Sequence, residues 1–385
     1  MDLEKYSITP GRGFLPACDP VALTGVEDFD ATVGITAFDL PKLMLSDQLR
    51  DIIGRLPEPD MGALIEELDE PRLAAVMRAC SYLTHAYVWG AKTPATHLPQ
   101  NIARPFAAIA QHLDRPPVLS YDSYALNNWA RMDPDGPIEV GNIKLLQNFL
   151  GGLDEEWFVL IHIEIEAKAA PAIGQIPTLL DGVQSSNRKA ICASLAIIEQ
   201  ALAAMRQTFA RMSERCDPYI YYHRVRPYIH GWKNNPALAD GLVYQGVDEQ
   251  AYFYRGETGA QSTIIPVLDA VFGIHHAEDE LRSYLMEMRD YMPLGHRAFL
   301  AEVEAHSSLR EFVIEWGKGE MMRLYNACIE HIYEFRALHL EFASSYIHNQ
   351  AQSGENPAHI GTGGTPFMRY LKKHRNESAR NLIIG

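Results

Sequence analysis

A chain of 385 residues can bury a sizeable core, and 47% hydrophobic with 22% charged residues is ordinary for a globular protein. The net charge of −15 lacks the basic footprint that nucleic acids or anionic membranes require, and no apolar run approaches the roughly 18 residues of a membrane span. Five scattered cysteines (Cys18, Cys80, Cys192, Cys216, Cys328) without a Cys-x-x-Cys pair argue against a zinc ribbon, a disulfide framework or covalent haem attachment. No secretory signal opens the sequence, so a reducing cytoplasm is expected.

Helical periodicity is frequent and strand-like alternation almost absent, which predicts an all-α fold. Residues 1–40, rich in Pro, Gly and Asp, read as an irregular arm. Helical patterns follow at Leu43–Leu56, Met61–Trp89 and Ala103–Leu113. The segment Asp114-Arg-Pro-Pro-Val118 reads as a linker, because consecutive prolines stop a helix. It divides the chain into a small, mostly helical N-terminal domain (1–115) and a large helical C-terminal domain (116–385).

In the second domain the pattern predicts Ser123–Arg131 and a buried helix at Glu155–Ala169. Next comes the longest predicted element, Ser185–Arg215, about 31 residues and roughly 46 Å. Tyr219–Ile229, Gln261–Phe272, Asp279–Arg289 and Glu320–His348 complete the set. Ser353–Thr365 is polar and glycine-rich, a predicted loop before a final short helix. Glu278-Asp279-Glu280 after His275-His276 reads as a solvated acidic turn, and no paired Glu-x-x-His motif supports a di-iron bundle. No internal repeat is visible.

The chemistry concentrates in a few places. At 3.6 residues per turn, Cys328, Ile332, Phe335, His339, Phe342 and Tyr346 form one apolar stripe with His339 in its middle. A neutral imidazole there has a spare nitrogen that must bond a carbonyl, a carboxylate or an iron atom. Phe158 and His162, four apart on a helix, share a face and could look into one cavity. Arg226, in the aromatic run Tyr221–Trp232, offers a planar fork for a carboxylate, or an ordinary ion pair. Arg255-Gly-Glu-Thr-Gly-Ala-Gln-Ser262 is a small-residue turn opening a helix, either a plain cap or a surface that approaches a flat cofactor closely. Gly361-Thr-Gly-Gly-Thr365 could act as a flexible lid.

The order and spacing of these islands resemble indoleamine 2,3-dioxygenase. They comprise Phe158, Arg226, Asp-Gly-Leu-Val-Tyr (240–244), Gly-Ala-Gln-Ser (259–262), Tyr-Met-Pro-x-x-His-Arg (291–297), Arg-x-x-His (336–339) and Gly-Thr-Gly-Gly-Thr (361–365). Leu98-Pro-Gln-Asn and Asn128-Trp extend the resemblance, which runs from about Leu98 to about Leu371.

The resemblance implies one haem b per chain, and opening of the indole ring of L-tryptophan or a close indoleamine by O₂ to give N-formylkynurenine. It implies His339 as iron ligand, Phe158 in the distal pocket and Arg226 on the substrate carboxylate. Tyr221 takes the place of a pocket phenylalanine, Thr258 and Gly259 lie in the turn beside the haem, Arg336 stands near the propionates, and Thr362 reaches the amino-acid end. Where animal members carry a distal serine this chain has His162, giving the Phe-x-x-x-His of tryptophan 2,3-dioxygenases, in which the histidine accepts from the indole N–H.

Two other readings use the same scaffold: action on a substituted tryptophan in secondary metabolism, and oxygen binding without turnover. The acidic surface predicts a monomer or a weak homo-oligomer, with no nucleic-acid or membrane partner.

Overall fold

The computed structural model describes residues 1–276, 280–350 and 367–383. The architecture is all-α, as predicted: helices form the body, and among the described residues strands appear only as two small sheets. His97–Leu98 runs parallel to Leu242–Tyr244, which pairs antiparallel with Ala251–Tyr252, while Trp129–Arg131 pairs with Ile143–Leu145. Among the described residues no helix is long and apolar enough to cross a membrane.

Three long helices carry the site. The first, Leu153–Gln184, is 32 residues and about 48 Å long. It reaches well beyond the predicted Glu155–Ala169, because Pro171 and Pro177 lie within it without ending it. Its start is fixed by the buried Glu155 carboxylate, which accepts from the amides of Phe149, Leu150 and Gly151 at 2.6, 3.0 and 2.8 Å.

The second long helix corrects the prediction of a single element over Ser185–Arg215. Ser186 adopts a positive φ of 54° and Asn187 caps a new start by accepting from the Ala190 amide. The α-helix therefore runs only from Arg188 to Ala210, and a 3₁₀ turn follows. The third, Glu320–Ala343, continues through a π-helical turn to His348, matching the predicted Glu320–His348. The second helix packs between the other two.

Local polar chemistry accounts for most other departures. Asp69 caps a new helix at Glu70–Trp89, which splits the predicted Met61–Trp89 into two. Instead of a helix over Ser123–Arg131 there is one π-helical turn, Asp122–Leu126, and then a strand. Buried Asn128 is the reason, since its amide donates to Tyr82 Oη, Tyr124 O and Gln147 O and leaves no place for a helical turn. The helices Leu294–His306 and Leu309–Trp316 were not predicted.

The N-terminal arm is more ordered than expected. Helical turns occupy Glu27–Leu43. Leu3, Tyr6, Ile8 and Phe14 are buried, with Phe14 4.8 Å from the His296 ring and Tyr6 5.5 Å from Phe299. Two apolar cores result, one centred on Glu70–Trp89 and one on the long helices, and the first long helix contributes to both.

Candidate active site

A cavity of about 280 Å³ opens between the first and third long helices, the turn at 257–262 and the helix Phe367–Ala379. At that size it exceeds an ordinary packing void and can admit a small-molecule ligand. Phe158, His162, Tyr221, Thr258, Gly259, Arg336 and His339 all line it, so residues separated by 181 positions in sequence share one wall system.

The apolar stripe of the third helix divides between two tasks. Cys328 and Ile332 are fully buried in the core, whereas Phe335, His339, Phe342 and Tyr346 face the cavity. Phe209 backs them, with ring centroids 4.9 Å from Phe335, 6.0 Å from His339 and 5.1 Å from Phe342. The His339 ring is open to the cavity, and it makes no hydrogen bond among the described residues. Burial among protein, then the neighbouring His162 and Arg336, depress its pKa to about 4. At neutral pH it is an uncharged imidazole with a lone pair available to a ligand.

His162 is equally defined. Its Nδ1 lies 2.7 Å from Phe158 O, and a carbonyl only accepts, so Nδ1 carries the proton and Nε2 is left as an acceptor. Burial lowers its pKa, which keeps the ring neutral. The Phe158 ring sits 4.6 Å from His162 and 4.5 Å from Tyr221, and Tyr121 meets His162 edge-on at 6.1 Å. One turn further along, buried Glu166 accepts from Ser262 Oγ at 2.8 Å, and burial pushes it up to about 7.

The turn is held by a close backbone approach. A Cβ on Gly231 would lie 2.2 Å from Gly256 N, and one on Gly256 would lie 2.3 Å from Gly231 N, so both positions require glycine. The Glu257 amide donates to Ile229 O at 3.0 Å, which ties the turn to the Tyr221–Ile229 segment. At Gly259 a Cβ would meet nothing within 4 Å, so this turn leaves space beside the cavity that a flat group can use.

Arg226 is placed differently from the others. It is fully buried beside the cavity and does not line it, its guanidinium lying 5.4 Å from the centre of the Tyr222 ring. Thr362 and the 361–365 segment lie outside the described residues.

Arg336 heads a buried network that sequence reasoning missed. It pairs with Asp269 at 2.6 Å and donates to Ser378. Asp269 also contacts His276 Nε2 at 3.1 Å, and His276 Nδ1 reaches Glu377 at 2.6 Å. His276, which precedes the predicted acidic turn, is held in this network, while Glu278 and Asp279 of that turn lie outside the described residues. Desolvation opposes its charge, but its two carboxylate partners raise its pKa overall. His374 stacks on it at 4.0 Å and lines the cavity. Asp269, Glu377 and His374 gave no signal in sequence, because their partners lie up to 101 positions away.

These features fit a haem. There is a neutral histidine with no hydrogen bond among the described residues in an apolar wall, a buried arginine at the cavity edge, and a glycine turn with room beside it.

The family model described as Indoleamine 2,3-dioxygenase matches residues 2–381. Human "Indoleamine 2,3-dioxygenase 2" is 32% identical, covering 100% of this chain and 96% of the relative. Rat "Indoleamine 2,3-dioxygenase 1" is 34% identical with 99% and 96% covered. "Indoleamine 2,3-dioxygenase nanC" of Aspergillus nanangensis is 29% identical with 98% and 96% covered.

Proposed function

Because this chain belongs to the indoleamine 2,3-dioxygenase family, we propose that it is a haem b enzyme that converts L-tryptophan to N-formylkynurenine. The observation that carries the reading is the neutral His339, with no hydrogen bond among the described residues, sharing one cavity with His162 and Phe158. His339 would hold a haem, which would supply the oxygen chemistry by which the indole C2–C3 bond is cleaved and each of its two carbons gains one atom of O₂.

The chain's own residues supply orientation and dryness. Phe158 and Tyr221 wall the indole. His162 accepts the indole N–H on Nε2, a role supported by the tautomer that Phe158 O imposes. Arg226 takes the carboxylate end; it stands beside Tyr222 and not in the cavity lining, so this role requires that wall to open to the guanidinium. Arg336 is suited to a haem propionate, its position fixed by Asp269. Phe209, Phe335 and Phe342 keep water from the iron side.

The test is turnover of L-tryptophan by the reduced, haem-loaded protein under ¹⁸O₂. The reading expects N-formylkynurenine carrying two labelled oxygens. A protein that binds haem and O₂ normally yet forms no product is an oxygen carrier, and contradicts it.

A further inference from the structure

The helix Phe367–Ala379 presents Leu371 and His374, three positions apart on one face, to the cavity. His374 is 9% exposed, and its Nε2 is buried with no hydrogen-bond partner among the described residues. The groups around it are engaged. Arg336 is held by Asp269 and Ser378, and His276 meets a carboxylate at each ring nitrogen. Ser378 Oγ, which accepts from Arg336, donates to His374 O at 2.9 Å, so the arginine and the histidine stand together on the cavity wall. Asp269 Oδ1 also lacks a partner, but Arg336 and His276 already answer the charge of that carboxylate through Oδ2.

A buried ring nitrogen without a partner has lost its hydration and gained nothing in exchange, unless whatever fills the cavity bonds it. Burial, then the charges of His276 and Arg336, hold the His374 ring down to about 3, so it is neutral and can carry its one proton on Nε2. A donor beside a fixed guanidinium suits an anion. We propose that His374 is a second anchor for the carboxylate edge of the haem, donating from Nε2 to a propionate beside Arg336. His276, His374 and Glu377 also place ligand atoms within 4.8 Å of one another. A metal ion is the poorer occupant, because the two rings stack at 27° and both His276 nitrogens already face carboxylates. The inference rests on the proposed function, since it presupposes haem in the cavity.

The experiment follows, by the Soret band, loss of porphyrin from the ferric loaded protein to excess apomyoglobin. It compares haem b with iron etioporphyrin, which has alkyl groups in place of the propionates. The wild type holds haem b longer. His374→Leu speeds haem b loss about tenfold and leaves the loss of iron etioporphyrin unchanged or slower. His374→Gln keeps an N–H donor and restores most of the difference, which separates a lost hydrogen bond from poor folding. Haem b loss unchanged in the Leu variant, or loss of both porphyrins speeded equally in both variants, overturns the inference, while wild-type turnover of tryptophan leaves the proposed function standing. A wild-type protein that holds no haem overturns both.

Discussion

The Nδ1 of His162 lies 2.7 Å from the carbonyl of Phe158, one turn earlier on the same helix. This bond decides which nitrogen faces the cavity as an acceptor, and a methyl group on the indole nitrogen would remove its donor. His162→Ala is therefore expected to weaken tryptophan binding about three- to tenfold. It should also narrow the preference for tryptophan over 1-methyl-tryptophan. Parallel Kd measurements check this, and unchanged discrimination removes His162 from the indole site.

Arg226→Ala should cost about 2–5 kcal/mol of tryptophan binding, as for removal of one partner of a buried charge pair. Tryptamine, which lacks the carboxylate, should be affected far less. The comparison matters because Arg226 lies behind Tyr222 and does not line the cavity. Equal losses for the two ligands would mean that the arginine only supports the wall.

Asp269→Ala leaves Arg336 and His276 in place without their shared carboxylate. The expected cost is about 3–5 kcal/mol, read as a lower urea midpoint, together with weaker haem retention. Burial pushes the Asp269 carboxyl upward, but Arg336 and His276 hold it below its usual range. Its contribution is thus present above the ordinary aspartate pKa and is lost as pH falls through the depressed value.

His85 gives a pH-dependent signature away from the cavity. Its Nδ1 donates to Tyr228 O at 2.8 Å and its Nε2 accepts from Leu119 N at 3.0 Å, so the folded protein needs it neutral. Burial lowers it to about 4, whereas the unfolded chain takes up this proton near 6.5. The stabilisation is complete above pH 6.5 and is lost as pH falls toward 4. The stability gap between wild type and His85→Ala should shrink by on the order of 3 kcal/mol between pH 7 and pH 4. A gap constant across that range would contradict the neutral assignment.

What could be read from sequence follows a physical division. The stripe Cys328–Tyr346 was legible because one helix sets its geometry, and the Phe158–His162 pair for the same reason. The small-residue turn at 255–262 was legible as a turn, but not the Gly231–Gly256 contact that holds it, which joins two distant loops. Helix ends were misplaced where one polar side chain decided them, as at Asn187, Asp69 and Asn128. The Arg336–Asp269–His276–Glu377 network stayed hidden because it spans three separated segments.

Every assignment in the cavity depends on the imidazole of His339 binding iron. The most direct measurement is a hemin titration of His339→Ala beside the wild type, recording the Soret band and the ferrous–CO spectrum. Wild-type protein should bind one haem with a histidine-ligated spectrum, and the variant should lose most of its haem or show altered axial ligation while its far-UV circular dichroism is unchanged. A variant that keeps a full haem complement with the wild-type spectrum would contradict the account.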